Sequence, residues 1–193
     1  MSAIEGCFTS LDELLQKHAG AFSCIYADPP WQYDKTVGRA AAAKHYPTMS
    51  MDELKALPVG ELAAEKSHLH LWATAGFLWE GLDLLSAWGF QHEGEFIWCK
   101  PQMGCGNYVR VSHEVLLLGV RGQLPFVGDP PEQSWLVSPR RDHSEKPEVF
   151  RELVEAVSPS PRLELFGRKP AAGWCVFGNE ILGGSQSRLF SRW

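Results

Sequence analysis

Short apolar runs recur along the chain at 22–27 (FSCIYA), 69–74 (LHLWAT), 95–100 (EFIWCK), 114–121 (EVLLLGVR), 134–138 (SWLVS), 162–167 (RLELFG) and 174–179 (WCVFGN). Each has the length and the β-branched or aromatic content of a strand. Between several of them the apolar positions take up helical spacing. The segments SLDELLQKHA and SMDELKAL both open on Ser followed by an acid, the residues that satisfy the free N–H groups of a first turn. AGFLWEGLDLLSAWG ends on a glycine, and KPEVFRELVEAVSPS carries proline in its first turn and stops before Ser-Pro. Strands alternating with helices predict a largely parallel, doubly wound α/β sheet. Two stretches, 32–48 and 101–113, read as long loops directly behind strands, and loops of that length in a compact domain are functional or disordered.

With 193 residues and 45% hydrophobic composition, the chain is read as one domain, 1–193, with one sizeable core. No apolar run approaches the ~20 residues of a membrane span, and the opening MSAIEGCFTS lacks the basic-then-apolar order of a signal peptide. A cytoplasmic protein without membrane contact is expected. The five cysteines (Cys7, Cys24, Cys99, Cys105, Cys175) are scattered and form no C-x-x-C pair, which encourages neither a disulfide framework nor a metal site. The formal charge of −5 argues against a broad basic surface for nucleic acid and leaves only local basic strips. No G-x-G-x-x-G is present, so nicotinamide and flavin binding have no support.

The sharpest chemical signal is IYADPPWQYD. In an open α/β sheet, ligands bind outside the carboxyl ends of the strands, and Asp28 stands at that end of the first strong run. Proline fixes its own φ and extends the residue before it, so Asp28-Pro29-Pro30 holds a carboxylate and nearby carbonyls in one geometry. These groups all accept hydrogen bonds. They suit a ligand with a planar NH2 group, and Trp31 or a nearby aromatic offers a ring on which a flat heterocycle can stack.

ADPPW, YPTMS, LHLWAT, EFIWCKP, SHEVLLLGVRG, EKPEVF, LELFGR and WCVFGNE, in that order, resemble the DPPW-type adenine N(6)-methyltransferases. That family includes the catalytic subunit of the eukaryotic messenger-RNA adenosine methyltransferase and phage and bacterial relatives. The resemblance runs from about residue 22 to residue 182. It implies a Rossmann-like class I methyltransferase fold in permuted order, the amine-binding motif preceding the cofactor motif, with mixed strand direction at one sheet edge. It also implies a reaction, transfer of the methyl group of S-adenosyl-L-methionine to the 6-amino nitrogen of adenine, releasing S-adenosyl-L-homocysteine.

In that resemblance the catalytic corner is Asp28, Pro29, Pro30 and Trp31, with Asp28 and the Pro29 carbonyl accepting the two amine hydrogens. Lys146 matches a lysine that contacts the carboxylate of the cofactor's methionine portion. Glu164, Leu165, Phe166 and Arg168, with Asn179 and Glu180, match positions around its sugar and base, and Asp28 borders the same site. The turn RKPAAGW departs from the eukaryotic subunit. It is shorter, and Ala171 cannot replace the asparagine that makes a ribose contact there.

Tyr46 matches the aromatic of the loop that covers the target base. Lys100, Tyr108, Arg110, Arg140 and Arg141 interleave cations with an aromatic and form the expected nucleic-acid strip. His113 and Glu114 are read as orienting that loop, with no metal role. DNA is favoured over RNA by analogy with compact phage and bacterial members. A homodimer or a partner subunit is expected to help read sequence. The competing readings are an RNA adenosine methyltransferase, a cytosine 4-amino methyltransferase, which has Ser or Thr before Pro-Pro, and an inactive nucleic-acid-binding partner, in which the corner loses its acid.

Overall fold

The computed structural model describes residues 3–32, 47–102, 104, 108–129, 131–140, 145–179 and 181. Among them are eight strands: β1 (Gly6–Phe8), β2 (Phe22–Ala27), β3 (Ala63–Thr74), β4 (Gln91–Cys99), β5 (His113–Arg121), β6 (Trp135–Val137), β7 (Arg162–Leu165) and β8 (Trp174–Phe177). The helices are α1 (Leu11–His18), α2 (Met51–Ala56), α3 (Val59–Leu62), α4 (Leu78–Ala87) and α5 (Glu148–Val157). The strands form one sheet in the order β1-β8-β7-β2-β3-β5-β4-β6. Every neighbouring pair is parallel except β3 with β5 and β5 with β4, so β5 alone runs backwards. The α/β class, the parallel majority and the mixed direction toward one edge all agree with the sequence reading.

Local chemistry explains most boundaries. Ser10 accepts the Glu13 N–H at the start of α1, and Ser50 and Glu53 cap one another at the start of α2. The helix predicted from Ala75 begins as a 3-10 turn (Ala75–Phe77) before α4, and Gly89 closes it at φ 85°. Pro147 stands one residue ahead of α5 rather than in its first turn. Two short elements escaped the pattern, β1 and α3, and β3 begins earlier than expected because AAEKS lacks apolar alternation. Tertiary pairing supplies what those residues lack: β1 pairs with β8, and Ala63 pairs with Phe22.

Alternation along the strands splits the core into two layers. Ile25, Ala27, Leu69, Leu71 and Leu163 point to one face, where Leu11, Leu14, Leu54, Val59, Leu62, Leu84 and Leu85 of α1 to α4 cover them. Cys24, Tyr26, Trp72, Trp98 and Trp174 point to the other, covered by Phe150 and Val154 of α5. Among the described residues no helix is long and apolar enough to cross a membrane.

Candidate active site

Because β5 is reversed, the edge at which the other strands end is also the edge at which β5 begins. Asp28 follows β2, Lys100 follows β4, and Glu114, second residue of β5, lies opposite Thr74, the last residue of β3. Lys146 arrives from the segment before α5, 118 positions from Asp28, and places Nζ 2.6 Å from Asp28 Oδ2. The same ammonium lies 3.5 Å from Glu114 Oε2, and Glu114 Oε1 accepts a hydrogen bond from Lys100. Four side chains thus alternate in sign along the edge: Asp28, Lys146, Glu114, Lys100.

Each cation also rests on an aromatic ring of the face below. Lys146 Nζ is 5.3 Å from the Trp72 ring centroid and Lys100 Nζ is 4.2 Å from that of Trp98, within the range of cation–π attraction. Burial pushes the Asp28 carboxyl above its usual range, and Lys146 opposes this without cancelling it. Burial works against the charge of Lys146, yet Asp28 and Glu114 outweigh it and hold the ammonium above its ordinary value. Burial would raise the Glu114 carboxyl too, but the two lysines together hold it down. Lys100 is the weaker cation, lowered by burial that Glu114 only partly offsets.

The Asp-Pro-Pro-Trp corner is braced by its own backbone. Trp31 N–H donates to the Pro29 carbonyl at 2.9 Å, and Met49 N–H donates to the Pro30 carbonyl at 2.9 Å. The Trp31 indole N–H donates to the Trp72 carbonyl at 3.2 Å, and its ring stacks on Phe77 at 5.2 Å and 15°. Trp31 is only 6% exposed. The expectation that it offers a free ring for a base does not fit this packing; it anchors the corner, and its stacking partner is protein.

Lys100 needs a similar correction. Expected in a phosphate-contacting strip, its side chain is only 10% exposed, paired with Glu114 and laid on Trp98, so its charge is spent inside the site. Tyr108 and Arg110, by contrast, lie exposed on the loop between β4 and β5. Arg140 is exposed after β6 and tied to that loop by its N–H, which donates to Gln102 Oε1 at 3.1 Å. Tyr46, Arg141 and Glu180 lie outside the described residues.

On the other side of Asp28, β7 and β8 end in touching turns. A Cβ on Gly178 would stand 1.9 Å from the Gly167 carbonyl oxygen, so only backbone fits between them. Phe166 takes a positive φ of 65° at this point, a conformation that side chains resist and that active sites retain. Leu165 is buried in the aliphatic core, while Arg168 and Asn179 are exposed at the edge. Glu164 is held by Arg151 of α5: Nη2 donates to Oε1 at 3.0 Å and lies 2.9 Å from Oε2. Oε2 is buried, and among the described residues no hydrogen bond reaches it. The Arg151 guanidinium lies between the rings of Tyr26 and Trp174, at 5.7 and 5.2 Å.

Sequence reasoning missed Arg151 and the bridge made by Glu114. A charge at the mouth of an apolar strand was the available signal for Glu114; nothing local pointed to Arg151. Among the described residues no group of three or more His, Cys, Asp or Glu is placed to hold a metal ion.

The chain matches the MT-A70 family model over residues 22–180. It is 30% identical to the Type II methyltransferase M.MunI of Mycoplasma sp, over 89% of this chain and 83% of that protein. It is 31% identical to a probable N(6)-adenosine-methyltransferase MT-A70-like protein of Oryza sativa subsp. japonica, over 85% of this chain but 24% of that one. The N(6)-adenosine-methyltransferase catalytic subunit METTL3 of Homo sapiens is 28% identical over 85% of this chain and 29% of its own length. The chain therefore spans most of the Mycoplasma enzyme and about a quarter of the plant and human proteins. An α/β sheet with a braced Asp-Pro-Pro-Trp corner at its carboxyl edge and a family match across both halves of that sheet lead to one conclusion: the chain belongs to the MT-A70 family of adenine N6-methyltransferases, with its Rossmann-like methyltransferase fold.

Proposed function

We propose that the protein transfers a methyl group from S-adenosyl-L-methionine to the 6-amino nitrogen of adenine in nucleic acid, with DNA the favoured substrate. The observation that carries this reading is the Asp28–Lys146 pair, with Nζ 2.6 Å from Oδ2 at the carboxyl edge of the sheet. It sets an acceptor for an amine beside a donor for a carboxylate.

The donor set fits the cofactor. Lys146 carries three N–H bonds, of which Asp28 and Glu114 face two, leaving one for the carboxylate of a methionine portion. The buried, unbonded Oε2 of Glu164 can accept from a sugar hydroxyl. Phe166, Arg168 and Asn179 surround the same edge, and Leu165, whose side chain is in the core, can contribute only its backbone. When bound, the cofactor supplies an electrophilic methyl carbon.

An adenine amine is a poor nucleophile because its lone pair is drawn into the ring. Asp28 and the free lone pair of the Pro29 carbonyl accept its two hydrogens, which concentrates electron density on nitrogen and fixes its direction. Alignment and a preorganised field supply the rate, with no need for a strong base. The raised Asp28 carboxyl is a suitable recipient for the proton that leaves during or after transfer. Tyr108, Arg110, Arg140 and Arg141 are the candidate contacts for the strand, and Tyr46 for the base.

DNA is preferred because the match covers 83% of a Type II methyltransferase and only about a quarter of the adenosine methyltransferases it resembles. A cytoplasmic site of action belongs to the same reading. Incubation with labelled cofactor and matched DNA and RNA oligonucleotides, followed by identification of the methylated nucleoside, tests it. Label in 6-methyladenine of DNA is the expected result. Equal or greater label in RNA would reverse the preference, and label in cytosine would overturn the amine assignment. Asp28→Ala should lower transfer by roughly 10²–10³-fold, the scale on which loss of one preorganised group acts, while leaving thermal unfolding nearly unchanged.

A further inference from the structure

Among the described residues, strand β6 closes one edge of the sheet. Ile97 N–H donates to the Ser134 carbonyl at 2.8 Å and Ser138 N–H to the Cys99 carbonyl at 3.1 Å, so the even-numbered residues of this strand face β4. Backbone groups of successive strand residues point to opposite edges. The N–H and C=O groups of Trp135 and Val137 therefore point away from the sheet. These same residues are 46% and 60% exposed, whereas Leu136 packs on the aromatic core. An edge of this kind is a template for another strand.

The flanking sequence selects the strand that fits. Glu132 precedes Leu136 by four residues and Arg140 follows it by four. Laid antiparallel on itself about Leu136, β6 sets Trp135 opposite Val137 and brings the bend that carries Glu132 at one end of the strand toward Arg140 beyond the other end, twice over. Both outward residues then fall in hydrogen-bonded pairs, the cross-strand contact is aromatic on β-branched, and the flanking charges bring acid toward base. Slipping the register by two spoils this. One direction puts Pro139, which has no N–H, against Trp135; the other puts Gln133 against Val137; both separate Glu132 from Arg140.

We propose that the chain pairs with a second copy of itself through β6, forming an isologous two-fold dimer in which two sheets join edge to edge. Antiparallel pairing points the two catalytic edges in opposite directions, so each site stays open to its own substrate. The contact is short, and the dimer is accordingly concentration-dependent.

Sedimentation velocity of the full chain over about 1–100 µM, the range expected of a small interface, tests the pairing. The sedimentation coefficient should climb from monomer toward dimer. Val137→Pro removes an outward N–H without touching the bonds to β4 and should hold the chain monomeric, with circular dichroism confirming the fold. Glu132→Arg and Arg140→Glu should each weaken association at least about tenfold, and the double exchange should restore it, because each charge then meets its opposite across the two-fold. The exchange decides the matter even if the proline variant misfolds. A monomer at every concentration, a dimer indifferent to Val137→Pro in a folded protein, or a double exchange no tighter than the single variants would overturn the proposal.

Discussion

The two faces of the sheet differ in how much of their core is aromatic. Under α1 to α4 the core is mainly aliphatic: Leu69, Leu71, Leu84, Leu117 and Leu163 fill space without directional demands, although Phe22, Trp31, Trp88 and Phe90 belong to it and the Trp88 indole N–H donates to the Leu54 carbonyl at 2.9 Å. Under α5 the core is Tyr26, Trp72, Trp98, Phe150 and Trp174, and it carries polar atoms with fixed directions. The Trp72 indole N–H donates to the Tyr26 hydroxyl at 2.7 Å, and the Trp98 indole N–H donates to the Ser138 carbonyl at 2.7 Å. His68, Ser158 and His70 form a buried chain on the same face. The Leu124 carbonyl can only accept, so His68 Nε2–H donates to it, His68 Nδ1 accepts the Ser158 hydroxyl, and Ser158 accepts from His70 Nε2–H. The lesson is a division of roles. Aliphatic packing stabilises the fold, while rings and oriented dipoles fix where Lys100, Lys146 and Arg151 stand relative to the carboxylates they meet.

The largest effect expected from this contrast is acid sensitivity of the aromatic face. Burial, reinforced by the neighbouring His68, lowers the His70 pKa to about 3. The unfolded chain binds this proton near pH 6.5, but the folded chain does not until about 3. Stability is therefore intact above that range and lost as pH falls through it, by about 1.4 kcal/mol per unit and roughly 5 kcal/mol in full. Burial lowers His68 as well, with the same sign. Urea unfolding at pH 7, 6, 5 and 4 should show the slope, and His70→Gln should flatten it; an unchanged slope in that variant would place the acid sensitivity elsewhere.

On the aliphatic face, Leu84→Ala should cost about 2–5 kcal/mol, the usual range for emptying a buried leucine site. Turnover per folded molecule should stay at the parent value. A fall in turnover at full folding would break the proposed division, because it would make the helical face part of the site.

At the edge itself, Lys146→Ala should weaken binding of S-adenosyl-L-methionine by roughly 10–150-fold, as expected for a lost hydrogen bond to a charged group worth about 1.5–3 kcal/mol. Calorimetry giving an unchanged affinity would reject the contact. The sharpest comparison belongs to Trp72→Phe. It keeps a smaller ring on the face below Lys146, deletes the N–H bond to Tyr26 and empties part of a buried indole site, so unfolding should move by about 1–3 kcal/mol. Turnover should fall more than Leu84→Ala makes it fall, and equal turnover in the two variants would deny the aromatic face its positioning role.

The sequence by itself determined the alternation of strands and helices, the capping of α1 and α2, the place of Asp28 directly behind β2 and the stiffness of that corner. All of these are local: a side chain's period records which face it turns to the core, and Pro29 and Pro30 constrain their own torsions. Only the tertiary structure decided that Trp31 is an anchor stacked on Phe77, that Glu164 belongs to Arg151, and that Lys100 is neutralised inside the site. It also decided that Glu114 joins two lysines, through the reversal of β5, which brings the start of that strand to the edge where its neighbours end. The physical reason is common to all four. Periodicity reports burial within a few residues, whereas an ion pair or ring contact depends on what a distant segment lays against it, and charged or aromatic residues read alike in sequence until that partner is in place.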